Sequence, residues 1–354
     1  MEIKAKSIIF VLVLATVIVS ILYIQNVTGP PVEFGSGFEF VGTDHWINSE
    51  PLTMQSLRGK VVLVDFWTYS CINCIRTLPY LIAWNEKYSP HGLVIVGMHS
   101  PEFTFEKDLD NVRTAVQKFG IKYPIALDND HKTFSAFGNR FWPHKYLFDV
   151  KGNLRYDHIG EGGYEETEMQ IQKLLAENGA DVSAIPIESE NKYINPALGV
   201  VARGITRELY AIRDTVNVDG FNAEGRKAVY KDDNRHDLEG IYLQGEWLTG
   251  NDHMLHIGKS GSFLIGYSGR TASPVIGSLT GRNIIAKVFL DGKSVPKELA
   301  GSDLKIDADG KSYVDISGAP RLYSLVNAKV SFEKHELTVE TDADLAIWSV
   351  TFGG

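Results

Sequence analysis

The sequence predicts an α/β domain followed by an all-β sandwich of jelly-roll-like type, set behind one apolar N-terminal segment. Three observations carry this. Strand and helix patterns alternate over residues 37–178. From 198 to 354 glycine is frequent, helical spacing fades, and short alternating runs are separated by turn residues. Ile8 through Ile24 is apolar but for Thr16, Ser20 and Tyr23 and carries no charge. A length of 354 residues fits two domains with extras. With 44% hydrophobic and 22% charged residues the chain is ordinary for a globular protein. Its net charge of −9 argues against nucleic acid or anionic lipid as a main partner.

In chain order, residues 1–24 read as a transmembrane anchor. Lys4 and Lys6 precede the apolar run, and no Lys or Arg follows until Arg58, which places the N-terminus in the cytoplasm and the bulk of the chain outside. A cleaved signal peptide is the rival, but Ile24-Gln25-Asn26-Val27 offers no small-residue cleavage site. Either way, disulfides persist where the bulk of the chain lies. Residues 25–36 read as a tether. Val61–Trp67 and Leu93–Met98 read as buried strands, and Lys107–Phe119 as a helix stopped by Gly120. Tyr123–Leu127 reads as a short strand broken by Pro124. Lys145–Val150 and Leu154–His158 form a hairpin, and Tyr164–Glu177 is helical. Residues 179–197 show no period and read as a linker. The expected strands of the last domain are Gly240–Leu243, His253–Ile257, Ser262–Tyr267, Ile284–Leu290, Lys329–Phe332, Glu336–Glu340 and Asp344–Phe352.

The chemistry concentrates after the first strand. The only two cysteines, Cys71 and Cys74, lie three apart where that strand delivers the chain to a helix. Free N–H groups and the positive end of the helix favour thiolate there. With no other Cys available, the pair bridges with itself or acts on another molecule's sulfur, which points to thiol–disulfide exchange. Asp65 lies inside the apolar strand. Burial raises a carboxyl's affinity for its proton, and a group near neutrality can take a proton from the second thiol; the alternative is a solvent-facing strand residue. Pro79 either bends the following helix from inside or sits in its first turn. The Trp142-Pro143 bond is either cis and exposes a backbone edge beside the thiols, or trans and incidental.

The run Lys60–Trp67, then Cys71, Cys74 and Pro79, resembles the thioredoxin family, and Leu52–Lys60 resembles its membrane-anchored TlpA-like branch. Trp67–Cys74, Pro101-Glu102-Phe103, Phe105-Glu106-Lys107, Tyr123–Asn129 and Asn139–Pro143 resemble the thioredoxin-like part of DipZ-type proteins. The resemblance covers roughly residues 38–178. It implies a thioredoxin fold in which Cys71 attacks, Cys74 resolves, Asp65 accepts the proton and Pro143 is cis. Glu102 falls near the loop where TlpA-like proteins carry an acidic residue by the thiols, with a solvated loop glutamate as the alternative. Trp67, Trp142, Pro143 and Glu102 are therefore the candidate substrate contacts. The pattern calls for no cofactor and no metal. The family tilts the reading toward a reductase of protein disulfides, cytochrome c haem-attachment cysteines being one candidate substrate. DipZ-type proteins usually carry a multi-helix membrane domain, whereas this chain has a single span, so it needs a separate membrane electron donor (CcdA-like) or a soluble one.

Other readings stay open. The Cys71–Cys74 couple can run as a disulfide-forming oxidant. Thr68-Tyr69-Ser70-Cys71 resembles the T-x-x-C of peroxiredoxins, although Val64 stands where that family places a proline. A structural zinc site would need two further soft ligands. A non-catalytic envelope-glycan-binding protein is the last class. Arg207–Ala211, Gly245-Glu246-Trp247 and Ile347–Gly353 resemble the C-terminal domain of DipZ-type proteins, which looks like a carbohydrate-binding module. A cell-envelope glycan is thus a candidate partner, with Trp247, Tyr242 and Tyr267 either a sugar-stacking platform or sandwich core. His253 and His256 would face opposite sides of a strand and form no metal site.

Overall fold

The computed structural model describes residues 38–195, 198, 204–217, 223–232, 236, 239–328 and 334–354. The expected anchor and tether, and the expected strand Lys329–Phe332, lie outside them. Among the described residues no helix is long and apolar enough to cross a membrane.

The first part is built on strands β1 (His45–Ile47), β2 (Val61–Trp67), β3 (Leu93–His99), β4 (Ile125–Leu127), β5 (His144–Phe148) and β6 (Leu154–Ile159). They form one sheet in the order β1-β4-β3-β2-β5-β6. The β2–β3 and β3–β4 pairings are parallel and the rest antiparallel. The helices are α1 (Ile72–Tyr88), α2 (Leu109–Phe119), α3 (Lys132–Ala136) and α4 (Tyr164–Glu177). Every residue of β2 is buried, because the strand is central and covered on both faces. Successive side chains of a strand point to opposite faces. Accordingly Val61, Leu63 and Trp67 join a core with Leu78, Leu81 and Trp84 of α1 and Leu174 and Leu175 of α4. Val62, Val64 and Phe66 join a second core with Phe134 and Phe137. Asp65 shares the face of Val61, Leu63 and Trp67, so it points toward the helix that carries Cys74.

Local chemistry explains where elements start and stop. Sequence expects α2 from Lys107; it begins two residues later because Asp108 caps it, accepting from the N–H groups of Asp110 and Asn111. Gly120 ends it in the left-handed region at φ 72°. Pro79 lies inside α1. The strand expected over Tyr123–Leu127 starts only at Ile125, after Pro124. The 179–195 stretch holds neither helix nor strand and lies along the first part. Tyr80 donates to the Glu190 carbonyl at 2.7 Å, the Glu190 carboxylate accepts from the Tyr164 N–H at 2.8 Å, and Lys87 pairs with Glu188 at 2.9 Å.

The second part is antiparallel β. Its strands are β7 (Leu209–Tyr210), β8 (Lys227–Tyr230), β9 (Gly240–Thr249), β10 (Met254–His256), β11 (Gly261–Ser268), β12 (Thr271–Ser278), β13 (Ile284–Leu290), β14 (Lys293–Ser294), β15 (Leu304–Ile306), β16 (Ser312–Ile316), β17 (Arg321–Leu322), β18 (Val326–Asn327), β19 (Lys334–Thr341) and β20 (Leu345–Gly353). One sheet runs β17-β12-β20-β10-β9-β8, with β7 on β20 and β18 on β12; the other runs β11-β19-β13-β16-β15, with β14 on β13. Both contribute to one core. Trp247 and Tyr267 belong to that core and Tyr242 is buried, so these rings form no sugar-stacking platform.

The two parts meet beside the cysteines. Ile72, which follows Cys71, is buried in a cluster with Phe103 of the first part and Val275, Leu322, Ala346 and Trp348 of the second. The Thr104 N–H donates to Asp252 at 2.7 Å, and the Phe105 and Trp348 rings meet edge-on at 4.7 Å.

Gly97 is the β3 partner of Asp65, and a Cβ there would stand 3.0 Å from the Trp67 ring nitrogen and 3.2 Å from the Tyr123 ring. Gly97→Val is therefore expected to cost about 1–3 kcal/mol through overpacking. Denaturant unfolding measures it; an unchanged midpoint would contradict the packing described.

Candidate redox site

The site is assembled where β2 hands the chain to α1. Cys71 is the N-cap of α1, in extended conformation, and its Sγ accepts from the Cys74 N–H at 3.4 Å. That bond holds the Cys71 sulfur over the free N–H groups at the start of α1. The thiol is partly exposed, whereas Cys74 is 1% exposed, and the two sulfurs are not bonded to each other. Cys71 Sγ lies 4.0 Å from the Trp142 carbonyl oxygen, and the Trp142-Pro143 bond is cis.

Behind the cysteines lies a buried trio. Burial pushes the Cys74 thiol well up, and its hydrogen bond to Cys71 and the charges of Cys71 and Asp65 add to this. Cys74 thus keeps its proton until a base removes it. Asp65 is 1% exposed and its Oδ1 has no hydrogen-bond partner. Burial raises its carboxyl to about 7, against the opposing charge of Lys145. Lys145 stands directly opposite Asp65 in the β2–β5 register, so both side chains share a face. Lys145 is fully buried, and its Nζ donates to the Gly160 carbonyl at 3.0 Å. Burial lowers its proton affinity, while Asp65 and Cys74 act in the other direction. A carboxyl and a thiol, both with raised proton affinity, are thus buried together behind Cys71.

Loop bonds hold the rim. The Glu106 carboxylate accepts from the Ser70 hydroxyl at 2.6 Å and from the N–H groups of Glu102 and Phe103 at 2.7 and 2.9 Å, tying the loop before Cys71 to the loop after β3. The Trp142 ring N–H donates to the Ser100 carbonyl at 2.9 Å, and the Ser100 hydroxyl donates to Asp128 at 3.0 Å.

Of the residues expected from sequence, Cys71, Cys74, Asp65, Trp142 and Pro143 come together. Trp67 does not: it is 1% exposed and its ring packs edge-on against His99, so it faces the core. Glu102 is held under the second part of the chain, where it accepts from the Tyr210 hydroxyl. Sequence reasoning passed over Lys145, Glu106 and Tyr210. A lysine opening an apolar strand was the available signal for Lys145; the other two reveal themselves only through contacts across the fold.

Asp65 binds its proton more tightly folded than unfolded. Its contribution to stability is therefore complete below about pH 4 and lost as pH rises through about 7. Asp65→Asn removes this titration. The variant is expected to gain on the parent between those limits, by on the order of a few kcal/mol, with a constant difference above. Urea unfolding at pH 4, 6 and 8 checks it; a difference independent of pH would contradict the assignment.

Comparison with known proteins places this geometry. Residues 43–189 match the Redoxin family model and residues 209–353 the model described as thioredoxin-like C-terminal domain. Proteins named DipZ from Mycobacterium bovis and Mycobacterium tuberculosis are 32% identical over 326 residues, 90% of this chain and 43% of theirs, so the chain spans less than half of their length. Thiol-disulfide oxidoreductase YkuV of Bacillus subtilis is 31% identical over 139 residues, 39% of this chain and 93% of that protein. Thiol-disulfide oxidoreductase ResA of Bacillus thuringiensis is 28% identical over 135 residues, 38% of this chain and 74% of its own. The chain belongs to the thioredoxin-like thiol-disulfide oxidoreductases and shares both of its domains with the DipZ proteins.

Proposed function

We propose that this chain is a membrane-anchored, extracytoplasmic reductase of protein disulfides that works through a Cys71–Cys74 dithiol/disulfide cycle. The observation that carries the reading is the asymmetry of the two thiols. Cys71 caps a helix at the surface, and Cys74 is buried, protonated and backed by Asp65. The Cys71 thiolate attacks one sulfur of a substrate disulfide; a Cys71–substrate disulfide forms and the other substrate sulfur leaves as thiolate. Cys74 gives its proton to Asp65 and attacks the Cys71 sulfur. The mixed bond breaks, the second substrate sulfur leaves, and the pair is left oxidised while the substrate is reduced. The rim at Trp142 and Pro143 offers the backbone edge along which a substrate chain would lie. A separate membrane dithiol donor (CcdA-like) returns two electrons and two protons to the pair.

The apolar run Ile8–Ile24, with Lys4 and Lys6 before it, supports the anchor and the orientation. The two facing antiparallel sheets support a sandwich of jelly-roll-like type for the second domain. A cell-envelope glycan as its ligand has lost the aromatic platform that suggested it, since those rings are core.

With Cys74→Ser the cycle is expected to stop at the mixed disulfide. Incubation of the oxidant-free variant with a disulfide-containing peptide should give a covalent adduct at Cys71 by mass spectrometry. Cys71→Ser should give none. Equal adducts on both variants, or none on either, would contradict the assigned roles.

A further inference from the structure

One imidazole ties the rim of the redox site to the edge of the sheet. His144, the first residue of β5, is buried, and both of its ring nitrogens meet oxygens. Nδ1 lies 2.7 Å from Asn139 Oδ1, and Nε2 lies 3.0 Å from Asp157 Oδ2 on β6. Asn139 is buried as well, and its amide has one orientation. Its oxygen accepts from the N–H groups of Arg140 and Phe141 at 2.8 and 3.3 Å, and its nitrogen donates to the Phe141 carbonyl at 3.0 Å. The 139–142 loop is therefore folded around this one side chain. The loop runs on into Trp142, whose carbonyl oxygen lies 4.0 Å from Cys71 Sγ. Oxygens that accept at both nitrogens are satisfied together only by an imidazolium, which donates twice; a neutral ring has a single N–H.

We propose that His144 is a positioning residue of the redox site and a pH-sensitive clamp, which as imidazolium holds the 139–142 loop to β6 and keeps the Trp142 edge set against Cys71 for an incoming disulfide chain. When the ring loses a proton, the carboxylate, as the stronger acceptor, keeps the remaining N–H. A lone pair then faces Asn139 Oδ1, and that buried contact turns from attractive to repulsive. The loop is released from the sheet while the Cys71 thiol is left as it was. The charged groups felt at the ring are Asp157 and His158 of β6 and Lys145 of its own strand. Tyr146 lies against it with ring centres 4.0 Å apart, and Phe66 is its partner on β2. Burial lowers the proton affinity of the ring below the ordinary histidine value, Lys145 and His158 add to this, and Asp157 opposes it. The clamp is therefore complete in acid and lost as pH rises, so the rim receives a substrate chain best on the acid side. Asp157→Asn is the discriminating change. The new amide can donate to Nε2, so a neutral ring with its proton on Nδ1 satisfies both partners and the clamp holds at every pH.

The inference rests on Cys71 being the attacking thiol, and the test separates the two. The full chain carrying Cys74→Ser, reduced and in detergent, is mixed across the range from acid to mildly alkaline pH with a disulfide peptide that has blocked ends and no ionisable side chain. The rate of adduct formation at Cys71 is read by mass spectrometry. Alkylation by iodoacetamide, which needs the thiolate but not the rim, is read in parallel, and the quotient of the two rates removes the thiolate population. In this parent the quotient should fall as pH rises, by about three- to tenfold, the loss expected for one hydrogen bond. Asp157→Asn should hold it at the parent's acid level throughout, and His144→Gln at the alkaline level. Asp157 is half exposed, so its variant decides the matter where His144→Gln does not fold. A flat quotient in the parent, a fall that survives in either variant, or an Asp157→Asn quotient fixed at the alkaline level overturns the inference. A parent that forms no adduct with the peptide overturns both this inference and the oxidoreductase reading, whereas an adduct with a flat quotient overturns this inference alone.

Discussion

The complete burial of β2 is the constraint on which the rest depends. A strand with neighbours on both edges and packing on both faces must be apolar on alternate residues in both directions, and β2 is, except at Asp65. Because strand residues alternate, that exception falls on the α1 face, where burial denies the carboxylate water and leaves one oxygen without a partner. Nothing stabilises the ionised form fully, since Lys145 lies opposite but bonds the Gly160 carbonyl. The outcome is an acid near neutrality at the back of a buried thiol. The apolar side chains that flank Asp65 on β2, and the cores they build, offset the cost of holding it there.

The same handover that buries β2 exposes Cys71. The strand ends at Trp67, a short turn follows, and α1 begins at Ile72, so the N-cap is the first position at which a side chain meets solvent and unpaired N–H groups together. Ile72 then turns into the neighbouring domain. The residue pair between the cysteines is thus divided, with Ile72 in the domain interface and Asn73 bonded to Arg76 on the other side. Loop contacts from Glu106, Trp142 and Tyr210 close around this point from three separate stretches of chain.

Much of this was legible in sequence wherever the signal was local. An apolar run bounded by turn residues marked β2, the cysteine spacing marked the site, and the hydrophobic flanks of Asp65 foretold its burial. Gly120 marked the end of α2. Other features depend on which face or which partner a residue meets. Trp67 belongs to the core because of its parity with Leu63, a fact that motif spacing does not convey. Lys145 acquires its meaning from the β2–β5 register, and Tyr210 meets Glu102 across 108 positions of sequence. β12 escaped notice because Pro274 and small polar residues hide a buried strand; the proline is accommodated next to a register shift at Val275 and Ile276. Trp247, Tyr242 and Tyr267 show the reverse limit, since aromatic residues in an alternating run read alike as platform or as core until burial is known.

The account stands or falls on the Cys71–Cys74 couple. Its reduction potential, measured by equilibrating the soluble portion of the chain with dithiothreitol or glutathione buffers at pH 7, is the most direct test. A single two-electron couple near or below roughly −270 mV is the predicted result, that of a reductant that must be supplied with electrons. A value near roughly −120 mV would contradict the proposed direction and make the protein a disulfide-forming oxidant, and the absence of any couple would contradict the mechanism itself.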